Sequence, residues 1–306
     1  MDLDLPRVVV GLVVFLAAAI MDVRTRRVRD PVWVAFGVVA LAFVEVDLVA
    51  SGARWFLHLV TGATAILFLG VFFGEPLWDD ADEFQFRLGR VLAYLLPPLA
   101  VGLAWWLSRD DPMTLGTFWR LLTMPGMIVV AHGLFYFGML RGGADAKALM
   151  SLGLLFPGMY PHLDSFPLLR PSPLAEPVMA VVFPFAFVVL VNAALLFLVI
   201  PLLFLARNAA AGDASLPRAL VGLRVPINAI PKHVWFMDRV EDGKAVTVYF
   251  PRRKEDRKEQ IELLREHGFT KVWVTPQLPF IAAMFVGYVL AVTAGNLLLG
   301  VLGGVR

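Results

Sequence analysis

Two aspartates sit at the edges of apolar runs. Asp22 closes the first run, in Met21-Asp22-Val23-Arg24-Thr25-Arg26-Arg27-Val28-Arg29-Asp30. Asp145 opens a later one, in Arg141-Gly142-Gly143-Ala144-Asp145-Ala146-Lys147-Ala148-Leu149-Met150. Taken singly, either acid reads as a solvated or topology-setting charge. As a pair they suit hydrolysis, because one carboxylate can take a proton from an attacking water while the other donates to a carbonyl oxygen. Like charges in close contact cannot both ionise, so such a pair holds a shared proton. Asp145 would feel the positive end of its helix dipole and Asp22 the negative end. That places the shared proton more often on Asp22, although the arginines at positions 24 to 29 oppose it. Gly142 and Gly143 would allow close approach of an extended substrate backbone, or serve as ordinary turn glycines before a helix. Lys147 reads as a side chain snorkelling toward the interface.

The elements that must carry these residues are membrane spans. The chain has 306 residues, 59% hydrophobic and 17% charged, with a mean hydropathy of +0.74. The apolar surplus lies in long runs with almost no charge, as spans do. About eight can be drawn against the roughly 20-residue requirement for a crossing helix. Their approximate limits are Pro6–Met21, Pro31–Ala50, Arg54–Phe73, Leu88–Leu107, Arg120–Leu140, Ala146–Tyr160, Leu174–Ala206 and Leu278–Leu302. The sixth is short and reads as a tilted, partly buried helix. The seventh contains Pro184 and Pro201 and should kink.

The stretch before the last span is different. Val246–Phe250 reads as a strand, Asp256–His267 as an amphipathic helix, Gly268 as its C′ residue and Lys271–Thr275 as a second strand. The expected fold class is therefore mainly α: a polytopic helical membrane protein with a small α+β soluble domain inserted before the last helix. The expected divisions are a catalytic bundle over 1–206, a soluble domain over 207–277 and a final span over 278–306.

Arg24, Arg26, Arg27 and Arg29 assign the first loop to the cytoplasm. An even number of segments then separates Asp22 from Asp145, so both face that side. With every segment crossing, the soluble domain is cytoplasmic too; if the sixth does not cross, it moves outside. The N-terminal run follows acids rather than a basic region and reads as a retained span.

Several chemistries find no support. Cysteine is absent, which removes thiolate nucleophiles and cysteine metal sites. There is no His/Glu metal spacing, no serine elbow and no phosphate loop, so neither metal nor cofactor is called for. The net charge of +2 is too scattered for a nucleic-acid groove. Among polar residues within spans, His132 would hydrogen-bond in the bundle or support the site, and Asn192 and Asn296 would join helices.

The stretches around Asp22 and Asp145 resemble the paired signatures of type IV prepilin peptidases and their archaeal relatives, the preflagellin peptidases. In that family an aspartate with a basic tail closes the first span, and a second stands in a Gly-x-Gly-Asp motif followed by x-Lys. Ala144 occupies the second glycine of that motif, which keeps the position small but disfavours a positive φ. The charged stretch from Arg252 and the segment Lys271–Pro276 also resemble the soluble domain of archaeal members.

The resemblance implies a membrane aspartyl endopeptidase with Asp22 and Asp145 as its dyad and Gly142, Gly143, Ala144 and Lys147 as supporting residues. Its substrates would be pilin and archaellin precursors with a short basic leader before a hydrophobic helix, cut at the cytoplasmic face of the cell membrane. The acidic run from Glu75 to Glu83 falls on that side and would either attract a basic leader or simply be solvated. The extra region of bacterial relatives that also methylate is missing, which implies proteolysis alone. The competing readings are an ion-coupled transporter and a noncatalytic relative of the peptidase.

Overall fold

The computed structural model describes residues 3–74, 88–140, 142–241, 244–249 and 257–301. Arg141, the acidic run from Glu75 to Glu83 and the charged residues 252–256 lie outside them. Contacts divide the chain into two compact units, Met1–Ala193 with Phe280–Arg306, and Ala194–Pro279.

The first unit begins with helices that alternate in direction: α1 (Asp4–Thr25), α2 (Asp30–Ala50), α3 (His58–Phe73), α4 (Leu88–Ser108) and α5 (Pro112–Tyr136). Start signals fix several ends. Pro31 lies in the first turn of α2, and Asp111 caps α5 by accepting the Met113 N–H at 3.2 Å. The fifth helix thus starts well before the expected Arg120, because Asp111-Pro112 outweighs the polar residues that follow. Contacts identify the two ends of the bundle. Arg7 pairs with Asp47 where α1 begins and α2 ends, while Lys147 pairs with Asp30 where α2 begins.

The sixth segment forms α6 (Gly143–Leu155), a 13-residue helix whose residues from Ala148 to Leu155 are all buried. Such a helix is about 20 Å long, short of the roughly 30 Å hydrocarbon layer. The following chain completes the traverse, since the His162 backbone N–H reaches the Asp4 carboxylate at 2.8 Å. Asp4 opens α1, so this segment runs to the end opposite Asp22. Gly153 permits the close packing of α6 on α5: a Cβ there would come within 2.7 Å of Met127 Cβ.

The long seventh segment is broken, as its prolines foretell, into α7 (Glu176–Val182), α8 (Phe185–Phe197) and α9 (Val199–Ala210). Pro184 sits in the first break, where its missing N–H is no loss. After the second unit come α12 (Phe280–Thr293) and α13 (Leu297–Val301). Tyr288 of α12 stacks on Phe15 of α1 with centroids 5.5 Å apart and donates to the Val8 carbonyl at 3.0 Å. Trp33 and Phe36 of α2 meet the same Phe15 ring edge-on. This aromatic cluster joins α1, α2 and α12.

Among the described residues, six helices are long and apolar enough to cross a membrane: α1, α2, Trp55–Phe73, Val91–Ser108, α5 and Phe185–Ala210. Of the eight expected spans, the sixth is the buried α6 and the last is the apolar α12, only 14 residues long.

The second unit holds α10 (Arg218–Val221), β1 (Leu223–Pro226), β2 (Val234–Phe236), β3 (Asp238–Glu241), β4 (Lys244–Thr247), α11 (Arg257–Glu266) and β5 (Lys271–Pro276). β5 is the middle strand of an antiparallel sheet in the order β1-β5-β2, with Leu223 opposite Val274 and Val234 opposite Pro276. Leu223, Val225, Phe236, Val272 and Val274 form its core with Leu264 of α11. The expected helix and second strand match α11 and β5, and Gly268 closes α11 at φ +79. The expected strand at Val246–Phe250 is shifted: β4 ends at Thr247 and pairs with β3. Asp238 is buried and accepts the Trp273 N–H at 2.7 Å and the Thr247 hydroxyl at 3.1 Å.

Candidate active site

Asp22 lies in the last turn of α1 and Asp145 in the first turn of α6. The two helices touch and both acids are partly buried. The fold therefore brings the two carboxylates to one end of one bundle.

Their surroundings differ. Asp22 Oδ2 accepts the backbone N–H of Ile281 at 3.0 Å. Ile281 stands in the first turn of α12, where leading N–H groups lack intrahelical acceptors. Arg26 takes the left-handed conformation just beyond α1, with φ 54, and its backbone N–H donates to the Asp22 carbonyl at 2.9 Å. Its guanidinium acts electrostatically on Asp22, and its Nε and Nη1 are buried without a hydrogen-bond partner among the described residues. Burial penalises two charges side by side. The Ile281 N–H and the Arg26 guanidinium are thus two positive neighbours of Asp22, acting beside the dipole of α1. The N-terminus of α12 meets the same carboxylate, beside the α1 dipole and the arginines that follow it.

Asp145 depends on Gly142, which precedes α6 in an extended conformation and whose carbonyl accepts the Asp145 N–H at 3.1 Å. The Asp145 carboxylate folds back over Gly142, so that a Cβ on Gly142 would overlap its Oδ2. The space beside Gly142 is thus occupied by the Asp145 carboxylate. Gly143 has more room, with the Phe135 ring 3.8 Å from its ideal Cβ position. Ala144 is a helical residue of α6 and is not among the positive-φ positions, so alanine fits there without strain.

Lys147 does more than snorkel. Its ammonium pairs with Asp30 at 2.6 Å and lies 4.9 Å from the Phe72 ring centroid. It ties the start of α6 to the start of α2 and the end of α3. Ile281, Arg26, Asp30 and Phe72 were not singled out as site residues. Ile281 contributes a backbone group and so has no side-chain signature; Asp30 and Lys147 are 117 positions apart.

Other polar residues divide. Asn192 bridges α8 to the chain beyond α12, donating to the Gly295 carbonyl at 2.9 Å and accepting the Leu297 N–H at 3.2 Å. Asn296 is instead a local cap, its side chain accepting the Leu299 N–H of α13 at 3.3 Å. His132 is exposed on α5 and makes no hydrogen bond among the described residues.

Residues 214–297 match the family described as Archaeal Peptidase A24 C-terminus Type II. The match supports the archaeal prepilin/preflagellin peptidase family, a family of proteases. No curated protein matches the chain. The matched stretch includes the three-stranded sheet, α11 and α12 but neither Asp22 nor Asp145, so it supports the family independently of the two acids.

Proposed function

We propose that the protein is a membrane aspartyl endopeptidase that removes the short basic leader from pilin or archaellin precursors at the cytoplasmic membrane face. The observation that supports this reading is that Asp22 and Asp145 stand at the same end of the bundle on helices in contact. The family match at the other end of the sequence agrees with it.

In this reading Asp22 is the charged member and Asp145 carries the shared proton. A water between them gives its proton to Asp22 as its oxygen attacks the scissile carbonyl carbon. Asp145 protonates the carbonyl oxygen, and the tetrahedral intermediate then collapses with transfer of a proton to the leaving amine. The hydrophobic helix of the precursor stays in the membrane while its basic leader lies in water. The scissile bond before that helix then falls at the edge where α1 ends and α6 begins. Arg24, Arg26, Arg27 and Arg29 support a cytoplasmic side for that edge.

The test is cleavage of an archaeal prepilin by the purified protein and by its Asp22→Asn and Asp145→Asn variants. The reading expects a cut just before the hydrophobic segment that either substitution abolishes. Cleavage by both variants would assign the chemistry elsewhere. An inert wild type on several such precursors would favour the transporter or the noncatalytic relative.

A further inference from the structure

A groove of about 740 Å³ opens between α3, α4 and α5. Its walls include Gly70 and Phe73 of α3, Gly89 and Ala93 of α4, and Val129 and His132 of α5. We propose that this groove seats the first turns of the precursor's apolar helix, with His132 as its polar contact. The proposal rests on the peptidase reading above and says where the part of the substrate that stays in the membrane is held.

Continuity with the candidate site is the first argument. Phe72, beside Phe73 of the groove, carries Lys147 on its ring, and Lys147 follows Asp145 by two positions. Phe135, one turn beyond His132 on α5, lies against Gly143, two positions before Asp145. A substrate cut directly before its helix must place that helix beside Asp145, and both contacts lead from there to residues next to the groove-lining Phe73 and His132.

The lining supplies the second argument. At Gly70 and Gly89 an added Cβ would meet nothing within 4 Å. Small residues of this kind let another helix bring its backbone close, which is how helices pack where lipid offers no hydrophobic drive. His132 supplies the third. An imidazole exposed on an apolar helix, without a hydrogen bond among the described residues, cannot be satisfied by an acyl chain. A helix bearing one hydrogen-bonding side chain can satisfy it.

The chain has no cysteine, so single-cysteine trapping is clean. In the Asp145→Asn background, Ala93→Cys is paired with precursors carrying one cysteine at successive positions of the apolar helix. Disulfide trapping should recur about every 3.6 residues along that helix. It should be absent from a Val38→Cys control, which replaces an exposed residue of α2. Equal trapping at both positions, or none at Ala93→Cys, overturns the proposal.

A second measurement separates docking from folding. Gly70→Leu with Gly89→Leu should raise KM for the full precursor by about tenfold, as lost uniform binding does. Cleavage of a peptide truncated soon after the scissile bond should be unchanged. Equal losses on both substrates, or no loss on either, would count against the groove. Trapping without any wild-type cleavage would sink the peptidase reading and leave the docking site standing.

Discussion

Asp22 accepts the backbone N–H of Ile281 at 3.0 Å, although the two residues stand 259 positions apart. The carboxylate serves as an N-cap borrowed from another helix, occupying one of the donors that α12 cannot satisfy internally. It also faces the positive end of that helix, which offsets the negative end of α1. Ile281 lies inside the stretch that matches the peptidase family, so this hydrogen bond joins that stretch to the first candidate acid. The aromatic stack of Tyr288 on Phe15 holds the two helices together deeper in the bundle.

Asparagine and alanine at position 22 should therefore behave differently. Asp22→Asn keeps an oxygen for the Ile281 N–H but no carboxylate, so cleavage should fall by about 10²–10⁴-fold with little loss of stability. Asp22→Ala should be equally inactive and also less stable by about 1–3 kcal/mol, because the N–H is left unpaired. Cleavage assays beside thermal unfolding in detergent check both. Equal melting temperatures for the two variants would remove the structural role of this hydrogen bond.

Gly142→Ala should leave the protein folded and nearly inactive. The atoms nearest the new Cβ belong to the Asp145 carboxyl, which can swing away, but swinging away takes it from its place beside α1. A displacement of about 1 Å can cost on the order of 10²-fold in rate. Gly143→Ala should lose far less, since Phe135 would be at ordinary van der Waals distance. Comparing kcat for the two variants tests this. Similar values would mean that the Asp145 rotamer does not depend on Gly142.

The sequence reading reached the bundle because long uncharged runs leave few alternatives to membrane helices. An even number of segments between Asp22 and Asp145 put both acids on one side, and their pairing as a dyad came from the resemblance of their flanking residues to the peptidase signatures. The same reading placed α11, Gly268 and β5 from periodicity and a C′ glycine. What escaped it depends on contacts distant in the chain or on backbone groups. Neither the Ile281 N–H nor the Asp30–Lys147 pair leaves a local pattern. Asn296 resembled a helix-joining residue because a cap for a five-residue helix cannot be told from a polar residue within a span. β1 to β3 are too short, at three or four residues each, for alternation to show. Ala144 breaks the motif as a string but not as a conformation, since its backbone is helical.

Lys147→Met and Asp30→Asn should have small, matching effects. Their ion pair is partly exposed, with Asp30 55% accessible, and such pairs contribute about 0–1 kcal/mol. Each variant should lose less than about fivefold in kcat/KM, and the double variant little more than either single one, as a shared interaction requires. A loss near 10²-fold from Lys147→Met alone would instead give the lysine a direct part in positioning Asp145.

Asp213 should make the second unit sensitive to acid. Hydrogen bonds from Lys271 at 3.1 Å and Arg224 at 2.6 Å hold its carboxyl below the usual carboxylate range. Arg224 is on β1 and Lys271 on β5, so the acid bridges neighbouring strands. A depressed folded-state value means that its stabilisation is complete above the unfolded value of about 3.9. It is lost as pH falls from there through the lower folded value. Protection of the β1 and β5 amides in the full-length protein, measured as exchange relative to the intrinsic rate at each pH, should therefore fall below about pH 4 in the wild type. Asp213→Asn should show lower protection already at neutral pH and a weaker acid dependence of that protection. An unchanged acid dependence in that variant would move the responsible group elsewhere.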